Sequence, residues 1–161
     1  MRKPKSVTDL LSSRLLRLSN TLGLYSSRRY RSQFGVTLPE WRVLSIIELQ
    51  KTTSARDISR ALATDKAWVG QTVQKLERRG FVRRASDRQD GRRTLVSLTG
   101  QGKQVHDAIM ANAQRRQERL LGRLGDDDAR RLIASLDQLQ AEADRMLDEL
   151  DASDSKASSL E

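Results

Sequence analysis

The residues with the clearest chemical signal form one face of a helix predicted near the middle of the chain. Val69, Val73 and Leu76 follow each other at i, i+4 and i+7, so their side chains share one buried stripe. The other face carries hydrogen-bonding side chains that reach base edges and phosphates when a helix lies in a DNA groove. These candidate contacts are Lys66, Gln71, Thr72 and Lys75. The pattern predicts a helix that reads nucleic acid.

Trp68 lies among these polar residues, and two interpretations of it stay open. Its ring either packs on the sugar-phosphate backbone or covers the core of the domain. Because of the first interpretation, Trp68 is also a candidate DNA contact.

A basic hairpin follows this helix. Residues 81–84 and 94–98 are predicted to be short strands, and residues 87–91 supply the turn. Like charges at close range oppose folding unless a polyanion neutralises them, so the hairpin is predicted to be a wing lying on a nucleic-acid groove. The alternative, an ordinary solvated hairpin, is disfavoured because a helix-turn-helix pattern precedes it. The arginines concerned are Arg83, Arg84, Arg88, Arg92 and Arg93.

A capping pattern places the helix that opens this region. Thr37-Leu38-Pro39-Glu40 has the Ser/Thr-x-x-Glu spacing of a capping box, with proline in the first turn. We expect the helix that it starts to bury Trp41, Leu44 and Ile47.

Further signals give the order of the elements. Ser54 to Asp57 repeats the capping spacing for a short helix, and the DNA-reading helix begins near Asp65 or Lys66. Gly80 ends that helix after two arginines. Two short helices joined by a tight turn and followed by a strand hairpin form a winged helix-turn-helix. The predicted fold class is therefore mainly α, with a small β-hairpin wing and terminal dimerisation helices.

Leucine-rich seams lie on both sides of this region, where apolar residues step by three and four and need a partner helix. We predict a disordered basic arm over 1–6, a dimerisation helix over 7–36, the DNA-binding domain over 37–99, dimerisation helices over 100–150 and a disordered tail over 151–161. The seam residues are Leu11, Leu15, Leu18, Leu22 and Tyr25 in the first helix, and Leu132, Leu136, Leu139, Ala143, Met146 and Leu150 in the last.

The distribution of charge supports a nucleic-acid partner. The 161 residues include 30 Lys and Arg against 21 Asp and Glu, a net charge of +9. Residues 54–93 hold 11 basic and 5 acidic side chains, a net +6, whereas residues 126–161 hold 4 basic and 11 acidic ones, a net −7. The positive charge is thus concentrated in the predicted winged region.

Composition also argues against other classes. The chain has no cysteine and one histidine, so neither a disulfide framework nor a transition-metal site of the usual kind is expected. No catalytic set or glycine-rich phosphate loop can be assembled, so we expect neither an enzyme nor a cofactor. No long apolar run or leader appears and the last helix is acidic, which predicts a cytoplasmic protein without a membrane partner.

Over residues 8–150 the chain resembles the MarR family of transcriptional regulators. Three segments carry the resemblance: residues 38–44, residues 73–82, and Asp90-Gly91-Arg92-Arg93 with the strand to Thr99. It implies a two-fold homodimer that binds a pseudo-palindromic DNA operator, as a repressor, and leaves it when a small molecule binds. The alternative is an architectural DNA-binding protein without a ligand, which would differ in sequence preference and in ligand response.

The resemblance also implies roles for individual residues. Arg92 matches the arginine that such proteins insert into the minor groove, and Asp90 is placed to orient it. The recognition helix departs from the family at Gly70 and Gln71, where a small hydroxyl residue and an arginine are usual. Gln71 suits adenine, and Gly70, which costs the helix roughly 1 kcal/mol against alanine, would permit close approach to a phosphate.

The effector site of the family lies where the dimer helices meet the DNA-binding lobe. By position the candidates here are Tyr25, Arg29, Trp41 and His106. An arginine over an aromatic floor would suit an aromatic carboxylate or phenolic acid. Two alternatives stay open for the arginines near Tyr25: they form a second phosphate contact, or they are the polar end of the first helix. The alternative for His106 is a partly buried helix residue.

Overall fold

The structure, a computed structural model, describes residues 5–87 and 93–157. After a 3₁₀ turn at Val7–Asp9, the described elements are α1 (Leu11–Phe34), α2 (Leu38–Gln50), β1 (Thr53–Ser54), α3 (Ala55–Ala61), α4 (Lys66–Arg78), β2 (Val82–Ser86), β3 (Thr94–Leu98), α5 (Gly100–Leu121) and α6 (Asp126–Ala157). The chain divides into one compact unit ending at Asn112 and a second beginning at Ala113.

A three-stranded antiparallel sheet carries the wing. The strand order is β1-β3-β2, with Arg83 opposite Ser97 and Thr53 opposite Val96. β3 has the expected bounds, and β2 extends two residues past the expected Arg84. β1 was not predicted, because two residues between helices are too short to show a period of two.

The first unit has its own apolar core, to which its helices and the sheet both contribute. Of the residues expected to be buried in α2, Leu44 and Ile47 are fully buried and Trp41 is partly exposed. The largest fully buried side chains are Tyr30, Leu44, Ile47, Ile58, Leu76 and Ile109. This core fixes the positions of α3, α4 and the wing strands.

The predicted helix starts and stops are confirmed at several points. Thr37 and Glu40 form both bonds of the capping box, and Ser54 accepts a hydrogen bond from the Asp57 amide. Gly80 follows α4 with φ at 74°, a conformation that favours glycine.

A close backbone approach fixes the start of α5. The Thr99 hydroxyl donates to the Gly80 carbonyl at 2.6 Å and accepts from the Gly102 amide at 3.0 Å. A Cβ on Gly102 would stand 1.8 Å from the carbonyl oxygen of Phe81. Only glycine therefore allows α5 to pack this closely on the chain that leads into the wing.

The chain ends differ from expectation. α1 begins at Leu11, because a 3₁₀ turn capped by Ser6 occupies residues 7–9. α6 continues to Ala157, and the predicted disorder of residues 151–161 stays a prediction. The prediction rests on the polar side chains of residues 151–161. The same segment contains no glycine or proline that would stop a helix. Within the described residues, no helix combines the length and apolarity needed to cross a bilayer.

Candidate DNA-binding interface

α4, the predicted recognition helix, begins at the residue that the sequence indicated. The Asp65 carboxylate accepts a hydrogen bond from the Trp68 amide at 2.8 Å, which satisfies one free N–H of the first turn. Three of the four polar candidates on this helix, Lys66, Gln71 and Lys75, have exposed side chains.

Thr72 is the exception and corrects the expected face of the helix. It is only 8% exposed and lies three residues after Val69 and four before Leu76, both fully buried. Those spacings put all three on one side of a helix. The expectation that Thr72 lies on the exposed face is therefore wrong.

Trp68 and Gly70 lie on the accessible part of α4. Trp68 is 37% exposed, which does not favour the interpretation that it covers the core, and its contact with a sugar-phosphate backbone stays a prediction. A Cβ on Gly70 would meet no atom within 4 Å. Packing within the described chain therefore gives no reason for glycine in the middle of this helix.

A buried carboxylate ties α4 to α2. Lys75 Nζ lies 2.7 Å from Glu40 Oε1, and Arg79 Nη1 lies 3.4 Å from Glu40 Oε2. Burial by itself raises the pKa of Glu40, but the hydrogen bond from Lys75 and those at Thr37 outweigh it and hold that pKa below its ordinary 4.5. Lys75, predicted to contact DNA, is thus also part of an ion pair within the protein.

Arg79 extends this cluster. Its guanidinium donates to the Gly35 carbonyl at 2.9 Å and lies 4.7 Å from the centre of the Phe81 ring. It thereby links the end of α1, the start of α2 and the start of the wing. No local pattern in the sequence indicates these pairs, because the partners lie far apart along the chain.

The base of the wing is held by three arginines. Arg83 Nε donates to the Ser97 hydroxyl at 3.0 Å across the hairpin, and Arg84 lies 2.7 Å from Glu77 at the end of α4. Arg93 Nη2 lies 2.6 Å from Asp57 Oδ2 at the start of α3. Arg88, Asp90 and Arg92, predicted at the wing tip, lie outside the described residues.

Asp57 is the acceptor that joins the wing to α3. The hydrogen bond from the Ser54 hydroxyl, at 2.6 Å, and the contact with Arg93 lower the pKa of Asp57 below its ordinary 3.8, against an opposing effect of burial. The carboxylate is therefore ionised near neutral pH and fixes the Arg93 guanidinium.

The candidate effector residues do not all share one environment. Tyr25 and Arg29 are exposed on α1, whereas Trp41 packs edge-on against the buried Tyr30, with ring centres 5.4 Å apart. The side chain of His106 is 12% exposed and its Nδ1 lies 3.0 Å from Asp107 Oδ1. Tyr30, which lies next to Arg29 in the sequence, is fully buried, and its burial four residues after the buried Ser26 follows a helical period.

The indole nitrogen of Trp41 lies in an unusual environment for a hydrogen-bond donor. Its Nε1 is buried and makes no hydrogen bond to any described residue. A buried donor without an acceptor costs about 1–3 kcal/mol. Within residues 5–87 and 93–157, no cluster of three or more His, Cys, Asp or Glu side chains is arranged to hold a metal ion.

Comparison with known proteins identifies the family. A MarR family model matches residues 34–93, from the end of α1 to the residue before β3. The transcriptional regulator HosA of Escherichia coli is 30% identical over 93 residues, which are 58% of this chain and 69% of HosA.

Solved structures have the same fold. A MarR/EmrR family regulator from Acinetobacter sp. ADP1 has a TM-score of 0.72 at 29% identity, over 83% of this chain and 94% of that one. The MepR–DNA complex of S. aureus has a TM-score of 0.74 at 21% identity, over 86% of this chain and 99% of that one. Streptomyces coelicolor PcaV, solved with its natural ligand, has a TM-score of 0.69 at 23% identity, over 89% of this chain and 98% of that one. The exposed face of α4 beside an anchored wing agrees with this fold. The matches show that the chain belongs to the MarR family of DNA-binding transcriptional regulators, which are not enzymes.

Proposed function

We propose that this chain is a ligand-responsive regulator that binds a pseudo-palindromic operator as a homodimer and represses transcription until a small aromatic or phenolic acid releases it. The observation that carries the proposal is the exposed face of α4, where Lys66 and Gln71 stand free of the core beside a wing fixed by Arg83 and Arg93. A rigid helix and wing present their side chains in one defined geometry, which base recognition requires.

The exposed seams support the homodimer. Leu11, Leu18 and Tyr25 in α1 are 50–53% exposed. In α6, Leu139, Met146 and Leu150 are 42–63% exposed. Rows of this kind at steps of three and four pack into the same rows of a second helix. A second copy of the chain supplies such rows, and a two-fold dimer matches the symmetry of a palindromic operator.

The pair formed by Tyr30 and Trp41 supports an aromatic effector. The Trp41 Nε1 proton has no acceptor in the described chain, and a ligand carboxylate would supply one. Tyr30, which is fully buried, packs edge-on against Trp41 and orients its ring. PcaV, which has this fold, was solved with its natural ligand.

The residue before Trp41 connects this pair to the DNA-reading helix. Glu40 precedes Trp41 in α2 and pairs with Lys75 and Arg79 of α4. A ligand that moves the start of α2 would therefore move α4 with it. To weaken operator binding tenfold, the ligand need favour the displaced state by only about 1.4 kcal/mol.

Fluorescence anisotropy tests the function. The protein is titrated on its own upstream DNA and on a scrambled duplex, across a salt series, with and without a panel of aromatic carboxylates. We expect tighter binding to the upstream DNA and release by at least one compound. Equal binding to both duplexes, with a steep salt slope and no ligand effect, would instead establish the architectural alternative.

Two variants test the effector site by calorimetry with the compound that releases DNA. Trp41→Phe keeps a ring but removes the N–H donor, so it should weaken ligand binding without disturbing operator binding. Arg29→Ala tests the salt bridge expected to the carboxylate. If both variants bind the compound as the wild type does, the effector lies elsewhere.

A further inference from the structure

A cavity of about 590 Å³ lies where α3, the start of α4 and the start of β3 meet. Four cationic side chains line it: Arg56 and Arg60 from α3, Lys66 from α4 and Arg93 beside β3. Among the described residues, the one carboxylate in its lining is that of Asp57. The described lining thus has an excess of three positive charges.

That carboxylate does not neutralise the cluster. Its Oδ2 is shared by Arg93 and Ser54, both at 2.6 Å, and its Oδ1 is 3.6 Å from Arg60 Nη1. Arg56 and Lys66 are exposed and make no ion pair with any residue in the described part of the chain. Two cations therefore remain available to an anion, beside two that Asp57 holds in place.

The cavity spans both elements that the proposed function places on DNA. Lys66 is the first residue of the recognition helix, and Arg93 immediately precedes the second wing strand. A nucleic-acid strand that passes from the helix to the wing would cross the cavity between them. Guanidinium groups bind phosphate oxygens through paired N–H donors, and arginines fixed in advance lose less entropy on binding.

We propose that this cavity is a phosphate site that receives one phosphate of the DNA backbone, with Arg56 and Arg60 as contacts that the sequence did not indicate and Asp57 as a positioning residue. The inference rests on the proposed function, because it needs DNA lying across α4 and the wing. A free phosphate ion has the same chemistry, and the experiment separates the two sources.

The test is the double variant Arg56→Gln/Arg60→Gln, measured by anisotropy on the operator and on a scrambled duplex across a potassium chloride series. One lost phosphate contact should weaken binding to both duplexes about equally, roughly tenfold at low salt, and reduce the salt slope by about 1. Both side chains are exposed, so thermal unfolding should match the wild type.

The matched control is Arg130→Gln/Arg131→Gln, which removes two cations from the first turns of α6, where the side chains are 75% and 79% exposed. It should leave the affinity and the salt slope unchanged. If it weakens binding as much as Arg56→Gln/Arg60→Gln does, net charge rather than the cavity is responsible and the site is wrong.

Inorganic phosphate, titrated by calorimetry into the protein without DNA, separates the two sources of the anion. If the cavity serves DNA, the double variant should lose DNA affinity whether or not inorganic phosphate binds the wild type. Phosphate binding that the double variant loses, together with unchanged DNA affinity and salt slope, would assign the cavity to free phosphate and overturn the DNA assignment.

The two proposals fail in different ways. A double variant with wild-type affinity and slope, while the wild type binds its operator, overturns the phosphate site alone. A wild type that prefers neither duplex and responds to no ligand overturns the proposed function first.

Discussion

The two units of the chain differ in how far their apolar side chains are buried. The unit ending at Asn112 encloses a core in which Tyr30, Leu44 and Ile47 are fully buried. In α6, by contrast, none of residues 126–153 is buried, and Leu139 and Leu150 are 42% and 56% exposed. The first unit is built to fold on its own contacts, whereas α6 carries an apolar row that is only partly covered.

This difference follows from how each unit is built. In the first unit, helices and a sheet meet from several directions, so each apolar face has a partner. A helix of 32 residues has one apolar row, and in the proposed dimer a second copy supplies what this row packs against. Each leucine that becomes buried contributes about 1.5–3 kcal/mol, so a few such contacts can hold a dimer.

The two units have different tasks in the proposed regulator. The first unit holds Lys66, Gln71 and the wing in one rigid geometry, which base recognition needs. The seam in α6 sets how far apart two such units lie in the proposed dimer. We therefore expect substitutions in the first unit to change folding or DNA contacts, and substitutions in the seam to change association.

The largest effect is expected at Gly102. Gly102→Ala should lower the free energy of unfolding by on the order of 3 kcal/mol or more, because the new Cβ would lie 1.8 Å from the Phe81 carbonyl oxygen. Urea unfolding followed by tryptophan fluorescence measures it, since both tryptophans, Trp41 and Trp68, belong to the first unit. Gly100→Ala is the control, because a Cβ there meets nothing within 4 Å. Equal unfolding curves for the two variants would contradict the close approach.

The next effect is expected in the seam. Leu139→Asp should weaken the homodimer at least tenfold, because it places a charge in the proposed helix contact and removes about 2 kcal/mol or more of burial per chain. Sedimentation velocity measures the association. Gln138→Asp, on a neighbouring exposed position, should leave it unchanged. The tryptophan fluorescence of the first unit should persist in both; its loss with Leu139→Asp would show that the unit does not stand alone.

A smaller effect is expected at Glu40. Glu40→Gln should lower the free energy of unfolding near neutral pH by about 1–2 kcal/mol. This figure allows for solvent screening of the ion pair, because Lys75 is half exposed. The folded pKa of Glu40 lies below its ordinary 4.5, so its contribution is complete above that pH and is lost as the pH falls through the folded value. Urea unfolding at several acidic pH values should therefore show a shallower fall for the variant. Glu149→Gln, on α6, should behave as the wild type does.

The smallest effect on stability is expected at Gly70. Gly70→Ala should raise the free energy of unfolding by up to about 1 kcal/mol, since the Cβ meets nothing within 4 Å and alanine favours a helix. Operator affinity should nevertheless fall several-fold, because the methyl group holds the helix away from the DNA backbone. Gly23→Ala in α1 should raise stability without changing affinity. Unchanged affinity in Gly70→Ala would remove close approach as the reason for this glycine.

Prediction from the sequence succeeded where the signal is local. The capping groups at Thr37 and Ser54 act within three residues, and the start of α4, Gly80 and the bounds of β3 are equally local. β1 escaped prediction because it exists only through its pairing with β3. Thr72 was misplaced because it was assigned to a face by its polarity, while its spacing from Val69 and Leu76 puts it inside.

The sequence alone therefore determined the order of the helices and the two wing strands, the concentration of positive charge around α3, α4 and the wing, and the resemblance to one family. These depend on spacings of a few residues and on composition. Only the tertiary structure decided which charges pair. Glu40 meets Lys75 across 35 positions and Asp57 meets Arg93 across 36, and packing of the core, not local propensity, brings such distant groups within hydrogen-bonding distance.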